Sequence, residues 1–391
     1  MGVRQSSLES LGLACKAHKI MPDLKTSEDV VRDDLDYICR QLSDELPMLS
    51  GKNIVITGGA GFLGYYLVQG LLHWNEQSAD PVSVHVYDNF SRGVPQWLSD
   101  LEGNPHLTLV RHDITDPLPD DFGPFEYIIH AASIASPIYY REHPIETMDA
   151  NVDGLRRLLD WTLQQRETST PVEGFLNYST SEIYGDPSAD KIPTDESYRG
   201  NVSCTGPRAC YDESKRYGET LCVNFAKVHG LPVRIVRPFN NYGPGLKITD
   251  GRALPDFASN IFAGTDIVLF SDGAPTRTFC YVADAVVGYL KILLRGRNGE
   301  SYNIGTDDDE ISILGLAEMV VDTAKDLFDY SGKVQFQKSS DEDYLVDNPN
   351  RRRPVIDKAR EELGYKPGIG LEDGVRRSLI WYSGNQEAEA A

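Results

Sequence analysis

Apolar runs of strand length alternate with helix-like stretches from Lys52 to about Asn240. KNIVITGG is a short buried run, and the following FLGYYLVQGLLHW has the apolar spacing of a helix. Further runs of strand type are VSVHVYDN, LTLVRHD, EYIIHAA, EGFLNYST and PVRIVRP, with helical patterns between most of them. Strands that alternate with helices pair in parallel, so the sequence predicts an α/β Rossmann fold with a doubly wound parallel sheet.

The first 49 residues follow a different pattern. Thr26 and Asp29 have the spacing of a capping box that opens a helix. We interpret residues 1–49 as an N-terminal helical extension that packs on the main domain or on a second subunit. Its predicted apolar face consists of Val31, Leu35, Ile38 and Leu42, and its predicted acidic outer face consists of Asp33, Asp34, Asp36, Asp44 and Glu45.

Beyond about Asn240 the pattern changes to loops rich in Gly and Pro, with shorter elements between them. We therefore assign the Rossmann domain to residues 50–240. Residues 241–383 are predicted to form a smaller C-terminal α/β lobe, interleaved with the first, that mainly binds the substrate. Residues 384–391 are expected to be a frayed tail.

The balance of charges restricts the partners of this protein. The chain has 391 residues, and 38 Lys and Arg face 59 Asp and Glu, which gives a formal charge of −21. This excess of acid argues against nucleic acid or an anionic membrane as a partner, and an anionic ligand would need its own arginines. The six cysteines show neither a CxxC pair nor metal-ligand spacing, so we expect free thiols and no metal site. With no apolar stretch of signal-peptide or membrane-spanning type, the expected location is the cytoplasm.

The stretch TGGAGFLG, Thr57 to Gly64, lies between the first strand and the first Rossmann helix. Gly58 permits the tight turn, Gly61 lets backbone amides approach a pyrophosphate, and Gly64 lets the helix lie close to the strand. The second strand ends in Asp88, 24 residues beyond Gly64, where an acid bonds the ribose hydroxyls and disfavours a 2′-phosphate. The stretch therefore predicts NAD rather than NADP, with Arg92 as the one opposing feature. The predicted contacts from these two motifs are Gly58, Gly61, Phe62, Leu63, Gly64, Asp88 and Asn89.

Two further strand ends extend the same predicted pocket. HDI could place Asp113 and Ile114 near the adenine, and the small residues of HAAS, Ala131, Ala132 and Ser133, could let the backbone approach the middle of the cofactor. Each of these stretches taken alone is equally compatible with a structural role.

ACYDESKRYGET contains Tyr211 and Lys215, which share one face of a helix. A nearby ammonium, together with the positive nicotinamide, is expected to lower the pKa of the tyrosine toward neutrality. The phenolate could then take a proton from a sugar hydroxyl. Lys215 could also hydrogen-bond the nicotinamide ribose, so both residues are predicted to serve catalysis and cofactor binding.

From about residue 51 to 383 the chain resembles the extended short-chain dehydrogenase/reductase family that works on nucleotide sugars. TGGAGFLG, HAAS, STSEIYG, YxxxK, RPFNNYGP and TRTFCYV occur in the family's order. Within it, ASIASPIYY, STSEIYGDP and GPRACYDESKRYGET are most similar to the UDP-glucuronate decarboxylases, also called UDP-xylose synthases.

This resemblance implies a redox-neutral decarboxylation. Tyr211 would deprotonate the C4 hydroxyl as hydride leaves C4, with Thr180 sharing a short hydrogen bond to that oxygen. The resulting 4-ketone is β to the C5 carboxylate, so CO₂ can leave through an enolate that the site must stabilise. After reprotonation of C5 and return of the hydride, no external reductant is consumed. By resemblance Glu182 acts near C5, and Arg352 of the RRRP run is also placed there.

Ser181 and Glu182 separate the chain from related reactions. Nucleotide-sugar 4,6-dehydratases resemble STDE at this place, and their Asp protonates the departing hydroxyl, a task for which the Ser181 hydroxyl is too weak an acid. Plain 4-epimerases usually lack the glutamate.

The remaining predicted substrate contacts also come from the resemblance. Asn240 and Arg277 would hold the sugar diphosphate, with the planar guanidinium suited to bidentate phosphate contact, and Arg252 would lie on the nucleotide side. Tyr140 is predicted either to contact the sugar carboxylate or to pack. The complete set of predicted substrate-binding residues is Tyr140, Ser181, Glu182, Asn240, Arg252, Arg277 and Arg352.

Several alternatives stay open. DNFSRG and SIASPIYYREH depart from the decarboxylase pattern, which leaves a TDP-linked glucuronate as an alternative substrate. A 4-epimerase, a 4,6-dehydratase and a non-catalytic relative that senses sugar nucleotide or NAD are the other readings, although Thr180, Tyr211 and Lys215 argue against the last. The resemblance further implies a homodimer through a four-helix interface that includes the YxxxK helix.

Overall fold

The computed structural model describes residues 24–338, 346 and 348–385. Seven strands form the main sheet, and seven short strands form smaller sheets. In chain order the strands are β1 Asn53–Thr57, β2 Ser83–Asp88, β3 Leu107–Arg111, β4 Tyr127–His130, β5 Gly174–Tyr178, β6 Val233–Pro238, β7 Asn241–Tyr242, β8 Ile267–Leu269, β9 Thr276–Arg277, β10 Cys280–Tyr281, β11 Ser301–Ile304, β12 Ile311–Ser312, β13 Val334–Phe336 and β14 Arg351–Arg352.

Helices surround these strands. They are α1 Ser27–Gln41, α2 Phe62–Asn75, α3 Gln96–Ser99, α4 Pro137–Glu142, α5 Pro144–Asp149, α6 Leu155–Gln165, α7 Ala209–His229, α8 Ala253–Phe262, α9 Val282–Arg295, α10 Ile313–Leu327, α11 Asp357–Leu363 and α12 Leu371–Gly384. Short 3₁₀ turns span Leu46–Leu49, Ser181–Tyr184 and Ala189–Lys191, and a π-helical segment spans Ala150–Gly154.

The main sheet is parallel throughout and has the strand order β11-β6-β5-β4-β1-β2-β3. Side chains of a strand alternate between the two faces, and both faces are covered. Ile54 and Ile56 pack in one core with α2 and α9, whereas Val55 packs in the other core with α6 and α7. The predicted Rossmann-type doubly wound sheet is thus confirmed.

The chain beyond Asn240 serves both parts of the molecule. β11 extends the main sheet beside β6, and α9 packs on β5 and β6. The small sheets β12-β9-β14 and β13-β8, with α8 and α10, form the second lobe. The elements here are not as short as expected, because α9, α10 and α12 each have 14 or 15 residues. Residues 386–391 of the predicted tail lie outside the described residues.

The N-terminal extension contains the predicted helix, but its acidic face is assigned wrongly in part. Thr26 and Asp29 form a complete capping box at the start of α1. Asp34, predicted to face outward, has no exposed surface, because the helix is covered on several sides by α2, α9 and α12. Glu45 is also buried and pairs with Lys291 at 2.9 Å. Of the predicted apolar positions, Val31 lies only partly buried, and the adjacent Val30 is in the core.

Membrane-spanning helices and clusters of metal-binding side chains are both absent from the described residues. Of the helices in residues 24–338 and 348–385, none combines the length and apolar character needed to cross a bilayer. The same residues hold no group of three or more His, Cys, Asp or Glu side chains that could bind a metal ion. Within them the cysteines are free thiols: Cys39, Cys204, Cys210, Cys222 and Cys280.

Candidate active site

A large cavity of about 1300 Å³ opens where the carboxyl ends of β1, β2, β4, β5 and β6 meet the second lobe. This edge is where ligands bind in doubly wound sheets, because the loops after each strand diverge there. The residues that line the cavity include both the predicted cofactor-binding residues and the predicted sugar-binding residues.

The glycine turn after β1 is built for close backbone approach. Gly58 has φ +72°, and a Cβ there would lie 2.5 Å from the Cα of Ala132. A Cβ on Gly64 would lie 2.0 Å from the carbonyl oxygen of Gly59, so a side chain would force α2 away from the turn. Gly61 is different, since its nearest protein atom would be 3.3 Å away. Two glycines thus serve the turn itself, and Gly61 leaves room on the cavity side for a phosphate group.

Asp88 is held in place at the end of β2. Its two carboxylate oxygens accept the amides of Ala60 at 3.0 Å and Phe90 at 2.8 Å. Asn89 donates to Asp113 at 2.9 Å, which ties the second strand end to the third. Arg92, the residue that opposed the NAD assignment, stacks over the ring of Tyr139 and lies 3.7 Å from Asp250. The donors and acceptors on this side suit ribose hydroxyls.

Several buried polar atoms in the cavity wall have no hydrogen-bond partner in the part of the chain that the structure describes, and two of them lie at the strand ends predicted to hold the cofactor. These two are Oγ of Ser133 and Nε2 of His112. Buried polar groups are normally satisfied, so such atoms fit a site that a polar ligand completes. Together with the glycine turn and Asp88, they match a dinucleotide.

Tyr211 and Lys215 lie on one face of α7, as predicted. Both are buried, and the ammonium of Lys215 donates to the carbonyl of Tyr178 at 2.8 Å and lies 5.8 Å from the centre of the Tyr211 ring. Tyr140 stacks on Tyr211 with ring centres 5.1 Å apart.

The pKa of Tyr211 moves opposite to the predicted direction in the protein alone. Burial raises it to about 12, and a hydrogen bond with the Thr180 side chain opposes the rise. Burial also lowers the pKa of Lys215 to about 7. Lys215 by itself therefore does not bring the phenol toward neutrality.

Glu182 lies between two arginines. Arg352 reaches it through both guanidinium nitrogens, at 2.5 Å each, and Arg208 reaches its Oε2 at 2.5 Å. Burial alone would raise the pKa of Glu182, but the charges of Arg352 and Arg208 outweigh it and lower the pKa to about 2. The carboxylate is therefore ionised and is not free to act as an acid at neutral pH.

Arg208 is the residue of this cluster that the sequence analysis missed. It precedes α7 as its N-cap residue, three positions before Tyr211, and its side chain is largely buried. The signal was present in the stretch PRACY, where an arginine one helical turn ahead of the tyrosine shares its face. Nothing local, however, indicates that Glu182 would be its partner.

The residues predicted to hold the nucleotide and diphosphate also lie at the cavity. Asn240 has φ +42°, donates to the carbonyl of Thr278 and approaches Arg352 at 3.4 Å. Arg252 pairs with Asp250 at 2.9 Å. Arg277 donates to the carbonyls of Thr276, Pro349 and Asn350, so its fork is already occupied by backbone.

Every predicted site residue except Gly64 lines this one cavity. Gly64, which was also predicted to contact the cofactor, does not line the cavity; it packs against Gly59 in the turn, where a side chain would force α2 away. The cavity-lining residues from the prediction are Gly58, Gly61, Phe62, Leu63, Asp88, Asn89, Asp113, Ile114, Ala131, Ala132, Ser133, Tyr140, Thr180, Ser181, Glu182, Tyr211, Lys215, Asn240, Arg252, Arg277 and Arg352.

Known proteins with similar sequences and structures point to one family. The sequence model of the NAD-dependent epimerase/dehydratase family matches residues 54–305. UDP-glucuronic acid decarboxylase 6 from Arabidopsis thaliana is 38% identical over 326 residues, which cover 83% of this chain and 87% of that protein.

Two solved structures extend the comparison. A dTDP-glucose 4,6-dehydratase, DesIV from Streptomyces venezuelae with NAD and TYD bound, has a TM-score of 0.73 and 27% identity, covering 86% of this chain and 98% of that one. UDP-glucuronic acid 4-epimerase from Bacillus cereus, in complex with UDP-glucuronic acid and NAD, has a TM-score of 0.67 and 25% identity, covering 85% of this chain and 99% of that one. The chain belongs to the NAD-dependent epimerase/dehydratase family and is an enzyme that modifies nucleotide sugars.

Proposed function

We propose that this enzyme decarboxylates UDP-glucuronate to UDP-xylose with NAD as a resident cofactor. The observation that carries the proposal is the cluster at Tyr211: an ionised Glu182 held between Arg352 and Arg208, with Ser181 beside it in place of an acid. The similarity to a UDP-glucuronic acid decarboxylase supports the same reaction.

The first step belongs to Tyr211 and Thr180. Tyr211 takes the proton of the C4 hydroxyl, and the hydroxyl of Thr180 hydrogen-bonds the phenol and favours its deprotonated form. Because burial holds the phenol's pKa high, the phenolate becomes abundant only with added positive charge nearby. NAD⁺, held by the glycine turn, Asp88 and Lys215, would supply that charge and would serve as the acceptor and later the donor of the C4 hydride.

Loss of CO₂ follows from the 4-ketone. The electron pair of the bond between C5 and the carboxylate carbon moves toward the C4 oxygen as CO₂ leaves, and C5 then takes a proton. Tyr211 and Thr180 lie where the enolate oxygen forms, and the guanidinium groups of Arg352 and Arg208 add positive charge beside it. The sum is UDP-glucuronate plus a proton giving UDP-xylose plus CO₂, so no reductant is consumed.

The same site favours NAD over NADP. Asp88 is oriented by two backbone amides at the strand end that meets the ribose, and its charge would repel a 2′-phosphate.

We also propose that two copies associate through α7 and α5. Tyr217 and Val228 lie three turns apart on one face of α7 and are 51% and 69% exposed, and Ile145 of the adjacent α5 is 59% exposed. An apolar surface of this kind is typical of an interface.

The test is product identification. Purified protein is incubated with NAD⁺ and UDP-glucuronate carrying ¹³C at the carboxyl carbon, in parallel with TDP-glucuronate, and Tyr211→Phe serves as the inactive control. Release of ¹³CO₂ with UDP-xylose is expected. UDP-galacturonate without CO₂ would instead establish a 4-epimerase, release of an unreduced 4-ketopentose would change the product, and preference for TDP-glucuronate would change the nucleotide.

A further inference from the structure

Arg208 is not needed to hold Glu182. Arg352 already contacts both carboxylate oxygens of Glu182 in a bidentate pair. Arg208 adds a second guanidinium to one of the same oxygens, at 2.5 Å. The cluster thus has more guanidinium groups than the single carboxylate requires.

The other neighbour of Arg208 does not complete its hydrogen bonding. Oδ2 of Asp212 lies 3.6 Å from Nε of Arg208, close enough for charge attraction, yet this Nε has no hydrogen-bond partner among residues 24–338, 346 and 348–385. A largely buried guanidinium with an unused donor fits a further oxygen acceptor.

The position of Arg208 points to which acceptor this is. Its guanidinium carbon lies 6.0 Å from the centre of the Tyr140 ring, which stacks on Tyr211. Tyr211 marks the C4 hydroxyl of the sugar, and the carboxylate is carried by the neighbouring C5. The hydroxyl of Tyr140 is buried and likewise without a partner in the described part of the chain.

We propose that Arg208 is the residue that recognises the sugar carboxylate, and that it is shared between this carboxylate and Glu182. The inference rests on the proposed function and names its specificity determinant. Glu182 competes with the substrate for the guanidinium, so the bound carboxylate is not stabilised so strongly that its loss is opposed. Asp212 keeps Arg208 beside the sugar, and when CO₂ leaves, Arg208 returns fully to Glu182.

The experiment compares UDP-glucuronate with UDP-glucose, which has a hydroxymethyl group in place of the carboxylate. Dissociation constants are measured by calorimetry with NAD⁺ present, in a Tyr211→Phe parent that cannot turn over. Arg208→Met in this parent is expected to raise the dissociation constant of UDP-glucuronate by roughly tenfold to a hundredfold, because one charge-assisted hydrogen-bonded contact is lost. Affinity for UDP-glucose should stay within about twofold, which also shows that the variant is folded.

Two further variants sharpen the outcome. Arg208→Lys keeps the charge without the fork and should fall between the parent and Arg208→Met. Glu182→Gln removes the carboxylate that competes for Arg208, so it should strengthen the binding of UDP-glucuronate relative to that of UDP-glucose. If Arg208→Met weakens the binding of both nucleotide sugars equally, or of neither, Arg208 does not recognise the carboxylate and the inference is overturned. A parent that shows no preference for UDP-glucuronate over UDP-glucose would contradict the proposed function itself.

Discussion

The environment of Tyr211 determines how the proposed reaction responds to pH. Since burial raises the pKa of this phenol to about 12, the reactive phenolate is a minority species near neutrality, even when a cofactor charge lowers that value. We expect kcat/KM for UDP-glucuronate to rise with pH from about 6 to 9, because a general base acts in its deprotonated form. A flat profile over this range would contradict this assignment of the base.

Replacing the phenol tests the same residue more directly. Tyr211→Phe removes the base but keeps the ring that stacks on Tyr140, so turnover should fall by a factor on the order of 100 or more. NAD⁺ binding, measured by calorimetry, should change little. Full activity in this variant would exclude the mechanism.

Gly64 and Gly61 are predicted to respond differently to the same substitution. Gly64→Ala places a Cβ against the carbonyl of Gly59, so it should reduce the free energy of unfolding by roughly 1–3 kcal/mol. Gly61→Ala meets no such obstacle in the protein and should leave stability nearly unchanged while weakening NAD⁺ binding. Urea unfolding and calorimetry of the two variants provide the comparison, and equal stability losses would refute the distinction.

Helix α1 attaches the N-terminal extension to the Rossmann domain and to the C-terminal helix α12. Asp34 accepts hydrogen bonds from Tyr66 and Tyr281 at 2.6 Å each and from Arg377 of α12 at 2.7 Å. Asp33 contacts the same arginine at 2.7 Å but from a partly exposed position. The two neighbours therefore form a matched pair.

Neutralising each of these acids should give unequal losses. Asp34→Asn removes a fully buried carboxylate from Arg377, which keeps Asp33 and Asp373 as partners, and should cost roughly 1.5–3 kcal/mol of unfolding free energy, the value of a buried hydrogen bond between charged groups. Asp33→Asn should cost less than about 1 kcal/mol because solvent screens its charge. Equal effects in urea unfolding would show that burial of Asp34 does not govern the attachment of α1.

The association of two copies can be tested on the whole molecule. Tyr217→Asp combined with Val228→Asp places charges on the exposed face of α7 and should shift the protein from dimer to monomer in sedimentation velocity. The control is Phe336→Ser, which removes a 56% exposed apolar side chain from β13 in the second lobe and should leave the oligomeric state unchanged. A monomeric unmodified protein would contradict the proposed interface.

Much of the architecture follows from local patterns in the chain. Continuous apolar runs mark buried parallel strands, and the glycine turn with Asp88 marks the cofactor edge, because these constraints act within a few residues. The spacing of Tyr211 and Lys215 follows equally from helix geometry. The seventh strand of the main sheet, β11, was not predicted. It has only four residues and follows a long segment that belongs to the second lobe, so its hydrophobic pattern is too short to indicate a strand.

The chemistry at Glu182 and the burial of α1 depend on contacts between distant parts of the chain. Glu182 and Arg352 are separated by 170 positions, and Asp34 and Arg377 by 343. An acidic residue on an amphipathic helix normally faces water, so sequence reasoning placed Asp34 outside. Only folding brings the arginine and two tyrosines that allow its burial. In the same way, the motif around Tyr211 predicts the reacting residues from the sequence. The pairing that determines the charge of Glu182 forms only when both lobes come together, because electrostatic interactions depend on distance in space and not on distance along the chain.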